Sequence, residues 1–197
     1  MENVGNTTIV SAVIAPTKMM TDQQYMYQEG VKIHEFYHNI NGSEVTGQSP
    51  FEIWLNEAVT VHIQRQREAE LFGDDFLRLL TLQRAFTPVV GPIAQDRTAT
   101  SMSIEPEGFN QTQELVSVVT YMKAPEVVRM TELLCSKPVF NKALDLYYTR
   151  YRYGNATTMD WFKCMEEVSG LDLDNFQRGW LKRTGYPDLS YKGRFER

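Results

Sequence analysis

Two histidines four residues apart, a punctuated turn and one glutamate constrain this chain more than anything else in it. His34 and His38 flank Glu35-Phe36-Tyr37, and Glu57 follows His38 after eighteen residues. Residues four apart share one face of a helix, so both imidazoles can reach a single point. Asn41-Gly42 is a helix stop. Ser49-Pro50-Phe51-Glu52 reads as a capping box with proline at the first helical position, so a second helix starts there. At about 3.6 residues per turn, Glu57 falls about two turns into that helix. An antiparallel pair joined by this turn returns Glu57 to the side of His34 and His38.

Burial sharpens the expectation. Tyr27, Val31, His34 and His38 form one helical stripe, and Trp54, Glu57, Ala58 and Val61 form another. A carboxylate on an apolar stripe is costly without a partner, and a divalent cation satisfies it together with both imidazoles. Three protein ligands with a fourth position left to water is the arrangement of catalytic zinc. Glu35, one position past the first ligand, points aside, where it can act on that water as a base. The competing reading is two satisfied core histidines with Glu57 paired to an arginine. Zinc is preferred over cobalt or manganese by ligand type, one ion per chain.

The pattern resembles the gluzincin metallopeptidases, most closely the aminopeptidase N family. His34-Glu35-Phe36-Tyr37-His38-Asn39 with Gly42 and Val45-Thr46 looks like that family's first zinc helix and turn. Asn56-Glu57-Ala58 with Thr60-Val61 looks like its second, with alanine at 58 where glycine is usual and asparagine at 56 where some members carry a basic residue. Met1-Glu2-Asn3 is similar to the end of the family's Gly-x-Met-Glu-Asn motif. Tyr121, in Tyr121-Met122-Lys123-Ala124-Pro125-Glu126, sits where the family has its catalytic tyrosine. The resemblance covers nearly the whole chain. It implies a thermolysin-like, mainly α catalytic domain at 1–187 with a C-terminal helical bundle, and a tail at 188–197 leading towards a following domain of a longer parent chain. It implies zinc held by His34, His38 and Glu57, Glu35 as base and Tyr121 as oxyanion donor. Glu2 and Asn3 would receive the free N-terminus of a peptide substrate.

Composition excludes other classes. The net charge is −5 without a basic run, which argues against nucleic acid. No apolar run is long enough to span a membrane. The two cysteines, Cys135 and Cys164, fall on apolar helical faces as free thiols rather than a disulfide framework. With no signal peptide visible, a cytoplasmic location is favoured. Four Asn-x-Ser/Thr sequons, at Asn6, Asn41, Asn110 and Asn155, matter only in a glycosylating compartment.

Along the chain, residues 8–15 are rich in β-branched residues and predict a strand, a remnant whose partners would precede position 1. Thr21-Asp22-Gln23-Gln24 caps the first helix, expected to run to about residue 40; Gly30 inside it lowers helix propensity, to be recovered by packing or explained by close approach to another backbone. The second helix is expected at 50–72, ended by Gly73; its polar far half at 64–70 reads as a solvated face. His62, five residues past Glu57, is off the ligand face. A third helix follows at 74–86. Residues 87–108 predict an irregular connection bordering the substrate groove. A helix at 113–123 is expected to bend or break at Ala124-Pro125, which would place Tyr121 to project into a cleft. Helices at 126–135, 138–150, 157–168 and 173–183 carry aromatics at core spacing. Three functions remain open: an aminopeptidase, a gluzincin with another substrate such as an endopeptidase or epoxide hydrolase, and a zinc-binding domain without turnover.

Overall fold

Helix α2 (Ile53–Phe72) is the element on which the neighbouring helices of the chain's first half pack, because the first half of its own sequence is buried on almost every side. Trp54, Leu55, Ala58, Val59, Thr60, Val61 and His62 are all inaccessible to solvent or nearly so. The computed structural model describes residues 1–89, 91–187, 190 and 192–194. Most of the expected tail, residues 188–197, lies outside the described residues. Helix α1 (Asp22–Tyr37) lies along α2, and α3 (Asp74–Ala85) follows from Gly73, whose φ of 100° ends α2. After a short helix α4 (Pro92–Gln95) come α5 (Ala124–Cys135), α6 (Lys137–Tyr151), α7 (Thr158–Ser169) and α8 (Asp174–Leu181).

The expected C-terminal bundle forms, and its aromatic residues are its core. Phe140, Tyr147 and Trp161 are buried, and Trp161 meets Trp54 of α2 edge to face with centroids 5.6 Å apart. Trp54 Nε1 donates to Thr158 Oγ1 at 3.0 Å, which satisfies the indole at the start of α7. Cys135 and Cys164 are free and buried, as expected. Strand β1 (Val45–Gly47) pairs in parallel with β2 (Gly154–Ala156), in register Val45 with Gly154 and Gly47 with Ala156. This short ladder fastens the turn between α1 and α2 to the turn between α6 and α7. Among the described residues no helix is long and apolar enough to cross a membrane.

Two expectations change. Residues 8–15 form no strand: the backbone makes a 3₁₀ turn at Ser11–Val13, and most of the segment is exposed. β-branched residues favour a strand only where a neighbour offers a ladder, and among the described residues none lies beside this segment. The helix expected at 113–123 is instead a 3₁₀ turn at Thr112–Leu115 followed by a π-helical turn at Val119–Lys123. Pro125 causes no break there, because that turn runs directly into α5. Proline lacks an N–H and its ring clashes with the carbonyl four residues back. A wider π turn relieves that clash, and the Ala124 N–H donates to Val119 O, five residues back. The 87–108 connection does not line the groove that runs along α2 from Tyr121. It meets the π turn from behind, where Asp96 Oδ2 accepts from Lys123 Nζ at 2.7 Å.

That ion pair is buried, with Lys123 6% and Asp96 1% exposed. Lys123 Nζ also donates to Arg183 O and Gly185 O, at 3.2 and 2.9 Å, so one ammonium joins the connection, the π turn and the residues after α8. Lys123→Met leaves Asp96 as an uncompensated buried charge and is expected to cost about 3–5 kcal/mol in urea unfolding. Removing both charges in Lys123→Met/Asp96→Leu should recover most of that loss; an equally unstable double variant would show that the pair is not the cause.

Candidate metal centre

Local capping sets both helices of the centre. Thr21 caps α1, with its N–H donating to Gln24 Oε1 at 2.9 Å and Gln24 N–H returning to Thr21 Oγ1 at 3.3 Å. The helix ends at Tyr37, short of the expected residue 40, and His38 is its C-cap. Ser49 caps the 3₁₀ turn Pro50–Glu52 that leads into α2, with Glu52 closing the box at 2.8 Å. Gly30 lies where a Cβ would collide with Gln64 and Glu68 of α2, so the missing side chain lets α1 and α2 approach.

The pair brings three ligand atoms to one point. His38 Nε2 lies 3.0 Å from His34 Nε2. Glu57 Oε2 lies 3.2 Å from His34 Nε2 and 3.5 Å from His38 Nε2. Ligands about 2.0 Å from a tetrahedral zinc ion are about 3.3 Å apart, so the spacing fits such an ion. The second nitrogens agree. His38 Nδ1 faces the Asn41 carbonyl at 2.8 Å, which can only accept, so Nδ1 carries the proton. Gln64 Nε2 donates to Glu68 Oε1 at 2.9 Å, which turns Gln64 Oε1 towards His34 Nδ1 at 3.1 Å. Both rings are thereby fixed in the tautomer that leaves Nε2 free to bind a cation. His62 stands apart, as expected, 2.9 Å from Glu132 Oε2.

Asn41 does more than stop a helix. Its amide donates to Leu55 O, Asn56 O and Thr60 Oγ1 at 2.7–2.9 Å, and its Oδ1 accepts from Tyr148 at 3.1 Å. The ring of contacts ties the first histidine helix, α2 and α6 together at His38, which is 1% exposed. Sequence reasoning missed Gln64 and Glu68 by assigning 64–70 to solvent; only Arg67 and Glu70 of that run are exposed, with Gln64 and Glu68 half-buried. Their signal was present. Gln64 lies seven residues past Glu57 and Glu68 four further, which is one helical face. Tyr27, by contrast, is 60% exposed and leaves the expected α1 stripe.

The remaining candidates surround this point unequally. Tyr121, in the π turn, has its ring centroid 6.3 Å from that of His34. Burial, with the charge and hydrogen bond of Glu57, holds the Tyr121 phenol above its ordinary value. Glu35 is mostly buried, and its Oε2 lies 3.0 Å from the backbone nitrogen of Met1. The first residues dock over the end of α1, where Gly5 N–H donates to Asn39 Oδ1 at 3.2 Å. Glu2 is half-buried, and its charge acts on both His38 and Tyr121. Asn3 is exposed, and its backbone carbonyl accepts from Asn6 N–H at 3.0 Å.

Burial alone would raise the Glu57 carboxyl, but hydrogen bonds from His34 and then His38 hold it at about 2 against an ordinary 4.5. Burial would lower His38, and Glu57 outweighs it, so His38 is raised above its ordinary 6.5. In the metal-free chain the Glu57 contribution to stability is present above pH 4.5 and lost as pH falls towards 2. The His38 contribution is present below pH 6.5 and lost as pH rises through its raised value. Urea midpoints of the metal-free protein should therefore peak at about pH 5–6. Glu57→Gln should flatten both limbs; an unchanged profile would remove the triad as their source.

Residues 1–180 match the Peptidase family M1 domain. The chain is 30% identical over 202 residues to an aminopeptidase N of Caulobacter vibrioides, covering all of this chain and 22% of that protein. It is 30% identical to the aminopeptidase N of Escherichia coli, covering 98% of this chain and 22% of that one, and 31% identical to that of Haemophilus influenzae, covering 96% and 21%. It thus spans about a fifth of the length of these relatives. The crystal structure of Legionella pneumophila aminopeptidase A in complex with aspartic acid shares its fold, with a TM-score of 0.70 at 24% identity over 84% of this chain and 18% of that one. On these matches, and on the helix pair that carries His34, His38 and Glu57, the chain belongs to peptidase family M1.

Proposed function

We propose that this chain carries the core of a zinc-dependent aminopeptidase that releases N-terminal residues from peptides. The observation that carries the reading is the convergence of His34 Nε2, His38 Nε2 and Glu57 Oε2, with both Nδ1 atoms already committed elsewhere. The names of the relatives supply the reaction class. A zinc ion held by these three residues would supply Lewis acidity and bring the pKa of a water to about 7. Glu35 takes the proton of the attacking water and passes it to the leaving amine. Tyr121, kept protonated by its surroundings, donates a hydrogen bond to the oxyanion of the tetrahedral intermediate. Glu2 pairs with the α-ammonium of the substrate, and Asn3 borders that site.

The first measurement is zinc per folded chain, with His38→Ala as the blank. About one zinc, lost in the variant, is the expected result; a folded chain without zinc would sink the reading. Gln64→Leu, which strips His34 of its Nδ1 partner, should weaken zinc about 10–100-fold in chelator competition, and Gln64→Glu should retain it. Glu35→Gln should keep the metal and lose turnover by about 10²–10⁴-fold. Tyr121→Phe should lower kcat by about 10²–10³ with KM little changed. N-acetylated peptides should not be cleaved. Their turnover at the rate of free peptides would replace the aminopeptidase reading with an endopeptidase.

A further inference from the structure

A groove of about 610 Å³ begins at Tyr121 and runs along α2, between α1 on one side and α3 and α5 on the other. Its charge is opposite to that of the molecule, whose net charge is −5. Arg65 of α2, Arg78 and Arg84 of α3, and Arg129 of α5 all line it. Two carboxylates face these four guanidiniums. Glu126 Oε1 is shared, accepting from Arg65 at 2.9 Å and from Arg78 at 2.7 Å, and it also feels the charge of Arg129. Glu68 acts on Arg65 and Arg84. Arg84 and Arg129 form no ion pair of their own among the described residues. Asp74, Glu132 and Lys137, the other charged residues of the lining, sit at the first residue of α3, the last turn of α5 and the start of α6. The lining, with Glu126 beside it, therefore holds five cations against four carboxylates, while Glu57, Glu2 and Glu35 act on Tyr121 at its end.

We propose that this groove receives the leaving side of the peptide and selects a carboxylate on it. The inference rests on the peptidase reading and adds the substrate class. The substrate amine is assigned to Glu2, which does not line the groove, so the chain beyond the cleaved bond is left to run past Tyr121 into it. The positive charge starts one residue away: Arg65 Nη2 lies 3.8 Å from Sδ of Met122, the neighbour of Tyr121. Guanidinium forks bind carboxylates with two parallel hydrogen bonds, and partial burial strengthens them. Arg65 and Arg78 are half-buried and already oriented by Glu126, so little ordering remains to be done when a second carboxylate arrives. The anion is either an aspartate or glutamate side chain of the substrate or the C-terminal carboxylate of a short peptide.

The test measures binding of tetrapeptides to the zinc-loaded chain carrying Glu35→Gln, which separates binding from turnover. Ala-Ala-Glu-Ala amide is compared with Ala-Ala-Gln-Ala amide, and Ala-Ala-Ala-Ala as free acid with its amide. At least one acidic member should bind about tenfold more tightly than its neutral counterpart, with an advantage that shrinks as salt rises. A side-chain effect that survives C-terminal amidation assigns the site to internal acidic residues, and an effect confined to the free acid assigns it to the C-terminus. Arg78→Gln/Arg129→Gln should bring either advantage to within about twofold, while Arg78→Lys/Arg129→Lys keeps most of it. Arg129→Gln alone breaks no ion pair and serves if the double variant does not fold. Equal affinities for acidic and neutral peptides, or selectivity that persists in a folded glutamine variant, would overturn the groove. Cleavage by the wild-type chain is scored separately: selective binding without cleavage defeats the peptidase reading alone, and cleavage without selectivity defeats the groove alone.

Discussion

Glu57 is a carboxylate placed where water scarcely reaches, and the rest of the centre follows from what that costs. A buried charge without compensation destabilises a protein by several kcal/mol. Here the compensation comes from two imidazoles at 3.2 and 3.5 Å. An imidazole compensates only if its ring is held, and each ring is held from behind, one by the Asn41 carbonyl and one by Gln64 backed by Glu68. The line of α2 through Glu57 and Gln64 is thus polar, and most of its buried remainder is apolar. That line carries the proposed chemistry, and the apolar remainder, with Trp54 at its centre, anchors it to the C-terminal bundle.

Tyr121 is positioned by a different device. Its turn is π-helical because Pro125 follows four residues later, and the same turn carries Lys123 into a buried pair with Asp96. The phenol faces the histidines while the ammonium two residues on is locked to the opposite side of the chain. A regular α-helix through this stretch would meet the proline ring with its own carbonyl. The widened turn is the local accommodation, and it gives the tyrosine a fixed seat near His34.

The helix pair was legible because each of its signals is local. Thr21 and Ser49 sit three residues before the groups they cap, and His34 and His38 are one turn apart. Glu57 could be placed because its helix start was marked. What lay beyond reach was anything settled by a distant partner. The segment at 8–15 has strand composition but no neighbouring strand, so composition misled. Gln64 and Glu68 looked like surface because nothing nearby in the sequence says that α1 covers them; Gly30, whose cost asked for either packing or a close approach, was the one hint of that contact. The pairing of 45–47 with 154–156 depends on two turns over a hundred residues apart, and neither turn carries a strand signal of its own.

That pairing has a bearing on how the chain acquires its shape. Asn41 receives a hydrogen bond from Tyr148, and Tyr37 meets the same hydroxyl at 3.1 Å, so the seat of His38 is completed by one residue that lies 107 positions from Asn41 and 111 from Tyr37. Closing so long a loop costs entropy that local helix formation does not repay. The two histidine helices can form early from their own caps, but the ring at the end of α1 stays loosely seated until α6 docks. During synthesis His34, His38 and Glu57 all precede α6, and their arrangement is made rigid only once that helix has been translated and packed. The order of events at this centre is therefore written in the distance between Asn41 and Tyr148 as much as in the ligands themselves.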